Sequence, residues 1–254
     1  MSTGRPIGAI YGYVTDGFYM SQEEIDNGPY DAIRTTSLKP GNLKYKDISG
    51  PDGVPDGIIS EYDRVMIGNS RPDFNYGLTI GFSYKNFDFS TMFQGATGAY
   101  LSMESMLRIG GTDGRPMPIH EGRWRQYDDD FNLITDPQRL AVINKNATYP
   151  LLSKDNGGNK EQSDFWLRSA DYIRWKNIEI GYNFPTKWSK KVRVNSIRLY
   201  CSAHNLTTWS SLGDYQVDPE SSRTTDLSVN QYSVGPLDTY PQQRVYNIGC
   251  QIVF

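Results

Sequence analysis

The segment Phe74–Tyr84 alternates between large apolar residues and small or polar residues over eleven positions. Because successive side chains of a β-strand point to opposite faces, this period of two predicts a strand with one apolar and one polar face. A tilted strand needs roughly 9–11 residues to cross a bilayer, whereas strands of soluble sandwiches more often have about 5–6. The segment therefore predicts a transmembrane β-strand, with a hydrophobic hairpin on a soluble core as the alternative.

The same alternation recurs in Phe87–Gln94, Asn177–Phe184, Ile197–His204 and Val245–Phe254, and Ile7–Tyr13 is predicted as a shorter first strand. These segments together predict an all-β, antiparallel transmembrane barrel segment of six strands. The residues predicted to face lipid are Phe74, Tyr76, Leu78, Ile80, Phe82, Tyr84, Phe87, Phe89, Phe93, Ile178, Ile180, Tyr182, Ile248, Ile252 and Phe254. The residues predicted to face the lumen are Asp88, Gln94, Asn177, Glu179, Arg198, Tyr200 and His204.

The connections between these strands alternate between long and short. The long connections are Val14–Asp73, Gly98–Ala170 and Thr207–Gln243, and the short ones are Lys85–Asn86 and Pro185–Ser196. Outer-membrane barrels have short periplasmic turns and longer extracellular loops, so the long connections are predicted to be extracellular. A terminal aromatic residue preceded by apolar residues at every second position is also typical of these barrels.

Composition excludes several other classes of protein. A net charge of -3 gives no basic surface for nucleic acid, and there is no run of about 18 apolar residues for a transmembrane helix. With two histidines and no nucleophile–base constellation, the sequence predicts no catalytic activity. The N-terminal residues lack the pattern of a signal peptide, so an export signal is expected upstream.

Several motifs, in order and with their spacing, resemble the C-terminal region of the SusC/RagA family of TonB-linked outer-membrane transporters of Bacteroidetes. The resemblance covers nearly the whole chain. The matching segments are Pro6–Tyr13, Thr15–Gly17, Pro40–Asp47, Asp56–Gly57, Asp63–Arg64, Ile67–Asn69, Pro72–Gly77, Phe93–Gly95, Ser169–Tyr182, Asn205–Leu206 and Tyr240–Gln242.

The resemblance implies that residues 1–254 are about the last six strands of a 22-stranded barrel, without the plug domain, signal peptide and TonB-contacting segment. It implies an outer-membrane transporter that imports oligosaccharides or peptides with a SusD-like surface lipoprotein and draws energy from TonB through the N-terminal part. Two alternatives stay open. The first is a soluble, secreted all-β carbohydrate-binding module stabilised by calcium, and the second is a glycan-acting enzyme built on a sandwich.

The acidic segment Asp47–Asp63 is the best candidate for a metal site, because oxygen donors at short intervals between glycines can surround Ca²⁺. Val54 and Pro55 stand where an EF-hand loop would have oxygen donors, and a cluster of turns is the alternative. The predicted ligands are Asp47, Asp52, Asp56, Ser60 and Asp63.

The tryptophan residues give two further expectations. Trp175 and Trp188 are predicted at interfacial or turn positions. Trp124, Tyr127, Trp166 and Trp209 are predicted either to contact substrate or a partner, or to pack within their own loops.

Overall fold

The computed structural model describes residues 4–34, 38–104, 107–108, 116–153, 159–215, 217–220 and 242–254. The chain divides into two compact units. The loop unit comprises Met1–Asn69 and Ser102–Leu167, and the strand unit comprises Ser70–Leu101 and Arg168–Phe254.

The secondary structure is mostly β. In chain order the strands are β1 (Ala9–Gly12), β2 (Thr15–Phe18), β3 (Tyr30–Asp31), β4 (Leu43–Tyr45), β5 (Ile58–Ile59), β6 (Val65–Asn69), β7 (Phe74–Tyr84), β8 (Phe87–Thr97), β9 (Tyr100–Ser102), β10 (Leu167–Ser169), β11 (Tyr172–Asn183), β12 (Ser196–Ser210) and β13 (Val245–Val253). The α-helices described here are α1 (Gln22–Asp26), α2 (Pro137–Ile143) and α3 (Thr186–Lys191). Short 3-10 helices lie at Glu61–Asp63, Pro118–Gly122, Asp164–Trp166 and Gly213–Tyr215. No helix of the described ranges combines the length and apolarity that a membrane-spanning helix requires.

The strand unit contains a five-stranded antiparallel sheet in the order β13-β12-β11-β8-β7. β7 and β8 form the predicted hairpin around Lys85 and Asn86, in register from Phe74 opposite Thr97 to Tyr84 opposite Phe87. Lys85 has a φ of 53°, the left-handed conformation that a two-residue turn requires. The end of the sheet with this turn and the β11–β12 connection is called the turn end, and the opposite end is the loop end.

The structure corrects the predicted first strand. Within Ile7–Tyr13, β1 pairs with β6 in a separate two-stranded sheet, so the main sheet contains five of the six predicted strands. Tyr13 is 1% exposed, and its ring stacks on that of Tyr45 with centroids 5.1 Å apart. The end of this segment therefore packs in the interior of the loop unit.

β12 is longer than predicted because it continues through an irregularity in its pairing with β11. The register shifts between Trp175 and Asn177, and Asn205 on β12 adopts a φ of 53°. A β-bulge of this kind accommodates an extra residue without ending the pairing, so β12 extends to Ser210.

The loop unit has its own interior. Its small sheets pair β1 with β6, β2 with β4 and β3 with β5. Trp124 and Trp166 are at most 1% exposed, and Tyr149 contacts the Trp166 ring edge-on at 6.0 Å. Asp136 caps α2 by accepting a hydrogen bond from the Gln138 amide, and this helix places Leu140 against Trp124. The long connections therefore contain a packed aromatic core.

Candidate functional site

The register of the five-stranded sheet assigns every strand residue to one of two faces, because directly opposed residues share a face. The residues predicted to face lipid all fall on one face, called the apolar face; Phe254 follows β13 in the same alternation. The register adds Trp175, Ile173, Leu199 and Tyr246 to it. That this face contacts lipid stays a prediction.

Large side chains of the apolar face are exposed in all five strands. Phe74 is 71% exposed and Ile248 is 86% exposed. Phe82 stacks on Phe89 across the hairpin with ring centroids 5.0 Å apart, at the turn end. An apolar surface of this extent is uncommon on water-soluble proteins and marks a membrane or protein contact.

Two glycines let aromatic side chains lie flat on the sheet, a feature that sequence reasoning missed. Tyr76 lies over its cross-strand partner Gly95 on the apolar face and donates a hydrogen bond to the Tyr172 carbonyl at 3.1 Å. Tyr200 lies over Gly249 on the polar face, where a Cβ would be 2.5 Å from its hydroxyl. Such pairs cover the exposed glycine backbone and fix the register.

The residues predicted to face the lumen all fall on the opposite face, called the polar face. The structure brings four of them together. Arg198 on β12 donates from Nε and Nη2 to the two Asp88 oxygens at 2.9 and 2.6 Å, and Nη2 also lies 2.7 Å from Glu179 Oε1. The Arg198 guanidinium lies 5.1 Å from the Tyr200 ring centroid. This cluster, at the turn end, is called the arginine cluster.

A second charged cluster lies on the polar face at the loop end. Arg174 is 1% exposed and donates from Nη2 to Asp218 at 2.7 Å and from Nη1 to Glu220 at 2.8 Å. Glu220 also accepts hydrogen bonds from the Tyr172 hydroxyl and from Gln94 Nε2, at 2.8 and 3.2 Å. This cluster, called the loop anchor, attaches the chain after β12 to the sheet.

Arg174 and Glu220 were not predicted, because 46 residues separate them and their pairing has no local signal. Asn177 and His204 are direct cross-strand partners, and in the described part of the chain neither belongs to either cluster. That the polar face lines a lumen stays a prediction.

The geometry does not support the predicted calcium site. Asp63 is fully buried and accepts hydrogen bonds from the amides of Ile48, Ser49 and Ser60 at 2.7, 3.0 and 2.7 Å. Asp47 accepts from the Gly57 amide at 2.6 Å.

The other three predicted ligands do not complete a site. Asp56 accepts from the Ile58 amide, the Ser60 hydroxyl accepts from the Tyr62 amide, and Asp52 is exposed. Across the described ranges no three acidic, histidine or cysteine side chains group as a metal ion requires. The carboxylates hold turns together, as the alternative interpretation states.

Two further features of the loop unit are structural. His120 is buried; its Nδ1 accepts a hydrogen bond from the Met117 amide at 2.8 Å, and its Nε2 lies 2.7 Å from the Leu107 carbonyl. Both ring nitrogens of His120 thus have hydrogen-bond partners.

Glu24 is the second of these features. Burial raises the Glu24 pKa, but hydrogen bonds from Lys44 Nζ and the Met20 amide outweigh this effect, so that the pKa is lowered overall.

Of the four loop aromatics, the structure buries two and exposes two. Trp124 and Trp166 pack in the loop unit, whereas Tyr127 and Trp209 are 53% and 54% exposed. Burial of the first two removes them as direct contacts for a substrate.

No family model matches the chain. It is 29% identical to TonB-dependent receptor P3 of Formosa agariphila, over 99% of this chain and 22% of that protein. It is 27% identical to TonB-dependent receptor P26 of the same organism, over 99% of this chain and 23% of that protein. Its identity to TonB-dependent receptor SusC of Bacteroides thetaiotaomicron is 23%, over 96% of this chain and 20% of that protein. The chain thus spans between a fifth and a quarter of the length of these relatives.

Two solved structures share the fold. The RagAB peptide transporter superposes with a TM-score of 0.61 at 18% identity, over 97% of this chain and 23% of that chain. The RagAB peptide importer in its "closed-closed" state gives a TM-score of 0.60 at 17% identity, over the same shares of the two chains. These comparisons confirm the resemblance to SusC/RagA transporters and the all-β fold expected from the sequence.

Proposed function

We propose that this chain, similar over nearly its whole length to SusC-type TonB-dependent receptors, forms part of the wall of an outer-membrane transporter. The observation that carries the proposal is the two-sided sheet. All five strands have 9 to 15 residues and present large apolar side chains on one face, whereas the other face carries mainly small or polar side chains, with charged residues on β8, β11 and β12. Lipid on the apolar side and water on the polar side satisfy both faces.

The proposal includes closure of the sheet into a barrel. β7 and β13 each have one edge without a partner strand in the described part of the chain. Unpaired backbone groups cost several kcal/mol each in hydrocarbon, so a membrane-spanning sheet must continue on both sides. We therefore infer that the chain acts as the C-terminal part of a barrel, and that the plug and the TonB contact are supplied elsewhere in the transporter.

The proposed cargo is an oligosaccharide or a peptide, and the proposed partner is a SusD-like surface lipoprotein. Support comes from the relatives, which are named as receptors and transporters. The charged and aromatic groups of the arginine cluster can contact such cargo by hydrogen bonding and stacking. The proposed mechanism is binding and gated passage, without covalent chemistry.

A matched pair of variants tests the membrane assignment. Ile80→Arg places a cation on the apolar face of β7 near its middle, and Thr79→Arg places it on the polar face one residue away. Ile80→Arg is expected to cost assembly about 2–4 kcal/mol, and Thr79→Arg much less. The measurement is the yield of folded protein in the outer membrane. Equal yields for the two variants would contradict the proposal that the apolar face contacts lipid.

Fractionation separates the proposal from the soluble binding module. The transporter that contains this chain is expected in the membrane pellet, and only detergent is expected to release it. Recovery in the soluble fraction without detergent would instead favour a secreted module.

A further inference from the structure

The connection between β11 and β12 is a compact turn that contains α3. Ser189 is fully buried, and its Oγ lies 3.1 Å from the Thr186 carbonyl and 3.2 Å from the Asn195 carbonyl. The Asn195 amide donates to the Val253 carbonyl at 2.7 Å, which ties the turn to β13. The turn therefore presents its outward side chains from a fixed backbone.

A continuous line of aromatic rings joins the apolar face to this turn. Phe87 contacts Tyr182 at 4.7 Å, Tyr182 contacts Phe184 at 5.2 Å, and Phe184 contacts Trp188 at 5.9 Å between ring centroids. Phe87 and Tyr182 belong to the apolar face, so Trp188 extends that face beyond the strand ends. Its side chain is nevertheless 62% exposed, and that of Val192 is 61% exposed.

Four cations lie within five residues of these exposed apolar side chains in the sequence. Lys187, Lys190, Lys191 and Arg193 are all exposed, and the sequence from Phe184 to Ile197 contains neither Asp nor Glu. Among the described residues, the salt bridges found include none of the four. Lys85 adds a fifth exposed cation in the neighbouring hairpin turn at the same end of the sheet.

Two other environments do not explain this turn. Water alone would accommodate the cations but not the exposed apolar side chains of Trp188 and Val192. A protein core would bury Trp188 but would exclude lysines that have no salt bridge. Tryptophan is enriched where hydrocarbon meets the headgroups of a membrane, and lysine side chains reach outward from there to the phosphates. The ends of the strands carry aromatic residues of the apolar face, and the turn beyond them carries the cations, which matches the order of acyl chain and headgroup.

We propose that the α3 turn binds anionic glycerophospholipid headgroups in the leaflet that faces the short turns. This inference rests on the proposed membrane function. Trp188 inserts at the headgroup boundary, and the four cations of the turn contact the phosphates. A single cation near an anionic surface contributes about 1 kcal/mol, or about fivefold in affinity, before screening by salt.

The test is the lipid preference of the full-length polypeptide in bilayers of phosphatidylcholine alone or mixed with phosphatidylglycerol. Spin-labelled lipids report the relative association of the two headgroups with the protein surface. The wild type is expected to prefer phosphatidylglycerol by about fivefold or more at low salt. Lys190→Gln with Lys191→Gln is expected to lower this ratio severalfold, and raising the salt concentration is expected to have the same effect.

The matched control is Lys39→Gln with Lys145→Gln, two exposed lysines of the loop unit, and it is expected to keep the wild-type ratio. A heat-dependent change in gel mobility checks that each variant is folded. A protein that enters both bilayers with no preference, or a turn variant that keeps the full preference, would overturn this inference alone. A protein that enters neither bilayer would overturn the proposed function together with it.

Discussion

Arg198 forms a two-pronged salt bridge with Asp88 across an intervening strand. The two residues lie on β12 and β8, which are separated by β11, and Gly181 of β11 lies between them. A Cβ at Gly181 would overlap the Asp88 carboxylate and lie 2.5 Å from Arg198 Nη2. The missing side chain therefore makes the contact between non-adjacent strands possible.

Gly181→Ala is expected to break this salt bridge and to destabilise the folded protein by about 1–3 kcal/mol, because the added methyl group overpacks the site. Gly81→Ala is the control, since its nearest new contact on the polar face of β7 is the Phe89 carbonyl at 3.6 Å. The measurement is the free energy of unfolding in urea. Equal losses of stability in the two variants would contradict this role of Gly181.

The loop anchor predicts a strong effect at Arg174. Arg174→Met leaves Asp218 and Glu220, which are 13% and 17% exposed, without their main cation. Breaking a buried ion pair by removing one partner costs about 3–5 kcal/mol, and partial exposure places this case at the lower end. Limited proteolysis is expected to cut the segment after β12 faster in this variant than in the wild type.

Neutralising the partners distinguishes a charge effect from a packing effect. Arg174→Met combined with Asp218→Asn and Glu220→Gln is expected to be more stable than Arg174→Met alone, because no unpaired charge is left. Equal stability of the two proteins would contradict the ionic interpretation of the loop anchor.

Asp63 is expected to stabilise the loop unit without any metal. Asp63→Asn weakens hydrogen bonds from three backbone amides and is expected to cost about 1.5–3 kcal/mol. Asp52→Asn, at an exposed turn, is expected to change stability by less than about 0.5 kcal/mol. Thermal unfolding with Ca²⁺ or with a chelator provides the measurement. A rise in Tm with Ca²⁺ that Asp63→Asn abolishes would restore the calcium site.

The pair Glu24–Lys44 predicts a pH dependence in the loop unit. The Glu24 pKa is lowered below 4.5, so its contribution to stability is present above that value and is lost as the pH falls through the lowered pKa. The hydrogen bond to Glu24 raises the Lys44 pKa above 10.5, so its contribution is lost only as the pH rises above that value. Lys44→Gln is expected to be less stable than the wild type by up to about 1 kcal/mol between these limits. The difference in the free energy of unfolding between Lys44→Gln and the wild type is expected to vanish when acid protonates Glu24.

The sequence alone was sufficient to predict the strands in which apolar residues alternate with a period of two. Alternation located β7, β8, β11, β12 and β13 and assigned the two faces of the sheet, because a strand with one apolar face repeats every two residues. Motifs spread along the chain identified the family resemblance. The same alternation in Ile7–Tyr13 predicted a sixth strand wrongly, since four paired residues are too few to distinguish a strand of the main sheet from one in a loop.

The clusters on the polar face could be predicted only in part. Alternation placed Asp88 and Arg198 on one face, but their contact depends on the register of three strands and on Gly181 between them. The salt bridges of Arg174 could not be predicted, because Asp218 and Glu220 are distant from it in the sequence. The three amide donors of Asp63 could not be predicted, because a carboxylate that binds backbone amides and one that binds Ca²⁺ have the same local sequence of Asp, Gly and Ser.

The aromatic interior of the loop unit has a consequence for how such a chain can diverge. Trp124, Trp166 and Tyr149 hold the long connections together from within, so the exposed residues around them can change without altering this interior. In the proposed barrel, the alternation in the sheet is constrained by lipid on one face and water on the other, and it tolerates few such changes. Homologues are therefore expected to vary fastest on the outer surfaces of these connections, and recognition of new molecules can arise there while the strands keep their pattern.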